Sequence, residues 1–276
     1  MHRFGCAKGG VTCIMVRTGV MRVLIDTHVH LNNPKLYERL DAIVKNATDA
    51  GVEAMIVVGY DRKTNRRALE IADRYPFVYA SVGIHPTEAK HTSDADLDQL
   101  ISMLENPRVV AVGECGLDYH WDKDHKDAQI RVFTQQIELA KARDLPIVVH
   151  MREATEATYD TLKKHAPIKG VMHCYSGSAE MVERFLDLGM HISLGGPITF
   201  LNAKTPKDVA RAVPLERLLI ETDAPYLSPH PFRGKMNEPA RVTLVAESLA
   251  KEKGLPLATI AQATTKNARA LFGLKE

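Results

Sequence analysis

Residues 23–30 read V-L-I-D-T-H-V-H, a short apolar run that ends in an acid, a hydroxyl and two histidines. Three apolar residues are too few for a helix, and an unbroken run suits a strand buried on both faces. His28 and His30 are two apart, so on an extended chain both point to one face. The pattern recurs. Apolar, largely β-branched runs over 54–58, 78–82, 109–112, 147–149, 170–172, 192–194 and 218–220 bring the number of predicted strands to eight.

Amphipathic stretches separate these runs. They cover 36–49, 64–75, 94–105, 125–143, 154–164, 179–188 and 206–212, and two more, 238–253 and 256–272, close the chain. Gly51, Gly170 and Gly189 follow predicted helices, where a left-handed cap is expected. Strict strand–helix alternation predicts a parallel sheet, and eight units suit closure into a single-domain (β/α)₈ TIM barrel over 21–276.

Composition narrows the partners. With 36 basic against 34 acidic residues the net charge is +2, which lacks the basic field of a dedicated DNA-binding module. Any nucleic acid is therefore expected to be gripped locally. Cys6, Cys13, Cys115 and Cys174 form no C-x-x-C pair, which fits a reducing cytoplasm, the expected location. No apolar run approaches the roughly 18–20 residues that span a bilayer, and no obligate protein partner is evident. Residues 1–20 carry Arg3, Lys8 and Arg17 without an acid and read as a disordered extension or an over-called start before Met21.

The strand ends carry the chemistry. Strand one ends on His28 and His30; A-V-G-E gives Glu114, I-V-V-H gives His150, V-M-H gives His173 and I-E-T-D gives Asp223. In a parallel barrel all C-terminal strand ends surround one mouth, where barrel enzymes do their chemistry. A lone histidine at a strand end is usually a hydrogen-bonded core or surface residue. Six such groups on one ring are a different matter, because their desolvation is expensive unless cations meet them. The set suits two divalent cations, with zinc, manganese, iron or nickel matching imidazole and carboxylate donors. No predicted strand ends in lysine, so Glu114 is the expected bridge. His28, His30 and Asp223 then hold one ion, and His150 and His173 the other. Water between two cations becomes a hydroxide nucleophile near neutral pH, with Asp223 as general base and acid.

The strings D-T-H-V-H-L (26–31), G-I-H-P (83–86), G-E-C-G-L-D-Y (113–119), V-H-M-R (149–152), H-C-Y-S-G (173–177), E-T-D-A-P-Y-L (221–227) and R-G-K-M-N-E-P (233–239) together resemble the TatD-type metal-dependent deoxyribonucleases. These belong to the amidohydrolase-like barrel superfamily. The resemblance runs in order through 21–276. It implies hydrolysis of DNA ends or single-stranded DNA, often 3′ to 5′, with magnesium or another divalent cation. It also implies that His28, His30, Glu114, His150, His173 and Asp223 are the metal positions, with Glu114 and Asp223 catalytic. Related proteins are linked to deacylation of D-aminoacyl-tRNA, so hydrolysis of an amide, lactone or ester is the alternative. A non-catalytic metal-binding scaffold is a third class, which the full ligand set disfavours. The sequence departs from the family pattern at Cys115 and at His120, and residues 1–20 have no counterpart.

Asp26 and Glu221 each lie two residues before a candidate ligand and are expected to orient ligand imidazoles or to join the barrel's polar layer. His85 is expected to face the mouth, contacting a phosphate or capping the loop of Pro86. Arg152, Arg233 and Lys235 are candidate phosphate contacts, with Asn202 and Asn237 as further hydrogen-bond donors. Tyr119, Trp121 and Tyr226 are candidates to stack a base. His2, His91, His125, His165 and His191 read as ordinary surface or strand-start residues. Cys174 is expected to pack, pointing away from His173.

Overall fold

The computed structural model describes residues 23–275. The expected extension at 1–20 lies outside the described residues, as do His2, Cys6, Cys13 and Met21. The first half of the fold runs β1 (Leu24–Val29), α1 (Pro34–Tyr37), α2 (Leu40–Asp49), β2 (Val52–Val58), α3 (Arg62–Arg74), β3 (Val78–Val82), α4 (Asp94–Met103) and β4 (Val109–Asp118). The second half runs α5 (Lys126–Ala142), β5 (Ile147–Arg152), α6 (Thr155–Lys163), β6 (Gly170–Met172), α7 (Ala179–Asp187), β7 (Met190–Leu194), α8 (Thr205–Ala212), β8 (Leu218–Ile220), α9 (Val242–Lys253) and α10 (Leu257–Phe272). The strands form one parallel sheet in chain order, β1 to β8. This is the (β/α)₈ barrel that the alternation predicts.

Two apolar layers hold it. Ile56, Val58, Val148, Val171 and Leu219 belong to a smaller buried cluster inside the barrel, which Leu271 and Phe272 of α10 join. The Thr265 hydroxyl donates to the Val23 carbonyl (2.9 Å), so α10 lies across the N-terminal end of β1 and closes that end. The larger cluster, with Leu36, Ile43, Phe133, Phe185 and Leu249, packs the helices onto the outside of the strands. Among the described residues no helix is long and apolar enough to cross a membrane.

The structure departs from the sequence reading in several bounds. The helix expected over 36–49 is two, parted by the turn at Glu38 and Arg39. The helix expected from 238 begins at Val242, after a 3₁₀ turn at Pro239–Arg241. Gly51 and Gly189 have the expected positive φ (89° and 97°), but Gly170 does not. It opens β6, where a Cβ would stand 2.6 Å from Ile147 Cγ2 and Ile147 O. The largest departure is β4, which runs to Asp118 and not Val112. Gly116 makes this possible: its φ is 140°, and a Cβ there would stand 2.0 Å from the His150 carbonyl. Without that side chain β4 and β5 pair in close register, Gly116 against His150 and Asp118 against Arg152.

The seam between β8 and β1 is closed by mixed bonds. His28 O accepts from the Asp223 N–H (2.9 Å) and Ala224 O from the His30 N–H (2.8 Å). Deeper in, Asp26 replaces the ladder: its carboxylate accepts the Thr222 N–H (2.9 Å) and the Thr222 hydroxyl (2.5 Å). Thr27 donates its hydroxyl to the Ile220 carbonyl (3.0 Å). Asp26 therefore belongs to the barrel's polar layer and touches no candidate ligand ring. Burial pushes its carboxyl up to about 8, against the lowering effect of the Thr222 bonds. Thr222→Val keeps the side-chain shape and strips the hydroxyl from this seam. The expected cost is about 1–3 kcal/mol, seen as a melting midpoint roughly 2–12 °C lower in metal-free protein. An unchanged midpoint would show that the backbone bonds alone close the barrel.

Candidate metal centre

All six expected candidate ligands meet at the C-terminal mouth. Glu114 is the hub. Its Oε2 lies 3.5 Å from His28 Nε2 and 3.8 Å from His30 Nε2. Those two ring nitrogens are 3.3 Å apart, and Asp223 Oδ1 stands 3.3 Å from His30 Nε2 and 3.7 Å from His28 Nε2. Glu114 Oε1 faces the other way, 2.9 Å from His150 Nδ1 and 3.0 Å from His173 Nε2. Asp223 reaches the mouth because the chain turns sharply after β8, with φ of 54° at that residue. It is a strained conformation for a non-glycine residue, of the kind that concentrates at functional sites.

The outer nitrogen of each ring decides what the inner nitrogen offers. His30 Nδ1 lies 2.9 Å from the Val58 carbonyl, which can only accept, so that nitrogen carries the hydrogen. His150 Nε2 lies 2.9 Å from Asp118 Oδ2, and His173 Nδ1 lies 3.2 Å from Glu221 Oε1. In the neutral tautomer that these contacts select, each ring turns a lone pair toward the oxygens of Glu114 or Asp223. Lone pair against lone pair at about 3 Å is repulsive unless a proton or a cation lies between. Three groups whose donor atoms fall within 4.8 Å of one another follow from this packing: His28, Glu114 and His173; His28, His30 and Asp223; and His85, Asp118 and His150. The donor set fits divalent cations.

The protonation balance agrees. Burial disfavours the charged His173 ring, but Glu114 and Glu221 on either side outweigh it and raise its pKa well above the usual range. His150 is likewise raised: burial opposes the charge, while Asp118 and Glu114 favour it. Burial favours a protonated Glu114, yet His173, His150 and His28 hold its pKa well below the ordinary carboxylate value. Asp223 is lowered against its burial by His30 and His28.

The remaining expectations divide. Of the two alternatives for Glu221, the structure shows the first: its Oε1 lies 3.2 Å from His173 Nδ1. His85 caps the loop, its Nδ1 accepting from the Thr87 N–H (3.2 Å), and its Nε2 faces the mouth as expected, 3.7 Å from Glu114 Oε1. Burial, and then the neighbouring His150, bring its pKa down to about 3, so the ring is neutral. Arg152 is exposed, with its guanidinium 5.4 Å from the centre of the Trp121 ring. Arg233 lies over Phe200 (4.5 Å) and Lys235 beside Phe232 (6.0 Å). Asn202 sits in an exposed turn with Leu201, and no hydrogen bond ties it to the cluster. Asn237 is no surface donor. It is buried, and its Nδ2 donates to the Thr222 carbonyl (2.9 Å), bracing the loop onto the end of β8. Tyr119 is half-buried under Lys126 (4.6 Å), whereas Trp121 and Tyr226 are exposed. Cys174 is half-buried, with a free thiol.

Sequence reading missed Asp118, Tyr60 and the Val58 carbonyl. Asp118 had a signal: Glu114, Gly116 and Asp118 alternate on one strand face once β4 is allowed to continue through its glycines. Tyr60, whose ring centre is 5.5 Å from that of His30, had none beyond following a strand.

The sequence profile of the TatD related DNase family matches residues 25–273. The chain belongs to the TatD family. It is 46% identical over 252 residues to YabD of Bacillus subtilis, an uncharacterised metal-dependent hydrolase, covering 91% of this chain and 99% of that protein. It is similar to the crystal structure of YjjV, a TatD homologue from Escherichia coli, at 36% identity and a TM-score of 0.87, covering 92% and 99% of the two chains. A third relative, 32% identical over 90% of this chain and 98% of its own length, is the 3′-5′ ssDNA/RNA exonuclease TatD of Salmonella typhimurium. As a TatD family member the chain is a metal-dependent hydrolase.

The raised His150 and His173 fix a sign for metal uptake. The carboxylates beside both rings favour their protonated forms in metal-free protein, and an entering cation competes with those protons. Uptake of Zn²⁺ is therefore expected to release protons and to strengthen as pH rises through the raised titration range of these rings. Calorimetric titration in two buffers of different ionisation enthalpy reads this directly. Equal heats in both would show that the rings are already neutral.

Proposed function

We propose that the chain hydrolyses phosphodiester bonds at DNA ends or in single-stranded DNA, in the 3′ to 5′ direction, with two divalent cations. The observation that carries this reading is the division of Glu114 between two donor sets. Oε2 serves the set of His28, His30 and Asp223, and Oε1 the set of His150 and His173. One carboxylate shared in this way would hold a bound pair of cations between its two donor sets, and zinc, manganese, magnesium, iron or nickel are the candidates. When bound, such cations supply Lewis acidity toward a phosphoryl oxygen and lower the pKa of water.

The chain's own groups do the rest. Asp223, held as a carboxylate at the mouth, takes a proton from the attacking water and returns it to the departing oxygen. His85, neutral and facing inward, meets a phosphoryl oxygen. Arg152, Arg233 and Lys235 hold the free phosphate oxygens, and Asn202 adds a donor. The pairing of Arg152 with Trp121 and of Arg233 with Phe200 puts cation and ring side by side at the rim, which suits phosphate and base together. The exonuclease name of the Salmonella relative supports the same substrate class.

The test is purified protein with metal add-back against single-stranded DNA, RNA and D-aminoacyl-tRNA. Cleavage of labelled DNA from its 3′ end is expected. Ready deacylation with no DNA cleavage under any divalent metal would replace this reading with carbonyl hydrolysis. Elemental analysis is expected to find up to two ions, and Glu114→Ala to lose more metal than any single His→Ala change. Full occupancy in Glu114→Ala would overturn the bridge. Arg233→Ala is expected to slow DNA cleavage by roughly 10²–10³-fold with metal content unchanged. A smaller loss would remove Arg233 from the substrate contacts.

A further inference from the structure

We propose that the outer face of α3 is a track for the single-stranded nucleic acid that continues beyond the scissile bond. The inference rests on the nuclease reading above and extends it to a surface outside the metal centre. α3 follows β2, so its first turn stands at the mouth, two residues after Tyr60. From there Arg62, Lys63, Arg66 and Arg67 cover one side of its first two turns. The opposite side, with Thr64, Asn65, Ala68, Ile71 and Ala72, is buried.

Several surface arginines are neutralised by a carboxylate, and three of the α3 cations are not. Arg74 pairs with Asp41, Arg143 with Glu105 and Arg184 with Glu156. Arg62, Lys63 and Arg66 are exposed and form no ion pair with any described residue. Glu88 and Asp96 line an adjoining cavity with Arg62 and Lys63, yet neither comes within ion-pair distance.

Local helix physics opposes this arrangement. Arg62 with Arg66, and Lys63 with Arg67, are like-charged pairs four residues apart, which destabilise a helix. Cations in a first turn also oppose the helix dipole. No acidic residue occupies that turn, and the carboxylate of the N-cap Asp61 is already engaged, accepting from the Thr64 N–H (2.7 Å). A polyanion laid along the face relieves both penalties together. Glu70, four residues after Arg66, offsets only part of the repulsion, and a local rule broken in this way points to function.

Shape and neighbours select the polyanion. The four cations and Glu70 line a surface groove of about 340 Å³. The Arg67 guanidinium lies 4.5 Å over the ring of Tyr37, in the short helix that follows His30, and donates to the Asn32 carbonyl (2.8 Å). Tyr226, exposed, has its ring centre 5.8 Å from that of His30. Aromatic rings thus lead from the candidate metal centre to the basic face. Stacking surface beside backbone-binding charge is the arrangement that holds single strands without sequence preference.

The test replaces Arg62, Lys63 and Arg66 by Gln, a good helix former, and keeps Arg67. Binding of a fluorescent single-stranded oligonucleotide of about 20 nucleotides is followed by anisotropy without added metal, so that cleavage is not needed. The triple variant is expected to bind roughly 10–100-fold more weakly at low salt, with a log–log salt slope flatter by about 2. Arg66→Gln alone is expected to flatten it by about 0.7. Metal-loaded hydrolysis of bis(4-nitrophenyl) phosphate, too small to reach α3, is expected to be unchanged, and the melting midpoint unchanged or higher. Equal oligonucleotide affinity in wild type and variant overturns the track, as does a wild type that binds phosphatidylserine vesicles but no oligonucleotide. A wild type that binds the oligonucleotide through α3 but cleaves it with no metal removes the nuclease reading and leaves the track standing.

Discussion

Three imidazoles at the mouth are held from outside by an acceptor that fixes which nitrogen faces inward, and the chemistry depends on that orientation. The outward acceptors are the Val58 carbonyl for His30, Asp118 for His150 and Glu221 for His173. Each sits on a different strand from the ring it holds: β2 for a residue just past β1, β4 for a residue of β5, and the end of β8 for a residue just past β6. No ring is oriented by its own segment. The tautomers are therefore a property of the assembled barrel, and a strand that slips in register releases its neighbour's ligand. Outer acceptors of this kind typically matter about 10–100-fold in metal affinity.

That dependence gives the β8–β1 seam a significance beyond stability. β6 and β8 are the shortest strands, and the mouth on their side is built from residues past the strand ends. Cys174 and Asp223, immediately after His173 and near the end of β8, both have positive φ, 40° and 54°. The bonds from Asp223 N–H to His28 O and from His30 N–H to Ala224 O tie those residues to β1. The same backbone contacts that close the barrel thus set the distance between Asp223 and the two histidines of β1. Asn237 continues the brace from outside, pinning the loop after β8 to the Thr222 carbonyl.

How much of this was legible in the sequence follows from where each piece of information is stored. The eight strands were legible because a strand covered on both faces must be apolar throughout. The six candidate ligands were legible because parallel closure puts every strand end at one mouth. The orientation of the rings was not. One acceptor is a backbone carbonyl, which no residue type encodes. Another, Asp118, lies beyond two glycines that read as the end of a strand, although Gly116 is what lets β4 run on against His150. Asp26 carried a true signal, a buried carboxylate in register with the ligands. The same alternation serves a ligand's partner and a seam bond alike, so spacing could not choose between them.

Charge shows the opposite limit. A net of +2 from 36 bases and 34 acids correctly argues against a broad basic field. It says nothing of how the pairs are distributed. Where an arginine finds a carboxylate, as Arg74 finds Asp41 and Arg269 finds Glu53, the pair cancels in the field as it does in the sum. Over the first two turns of α3 four cations share their groove with one acid, Glu70, and that local excess survives in a nearly neutral chain. At physiological salt a field extends only about 8 Å, so a ligand at the mouth responds to that helix and not to the total. Net charge is thus informative about long-range steering and uninformative about a groove one helix wide. Which charges meet in the folded chain is what distinguishes a neutralised charged face from one left open for an anion.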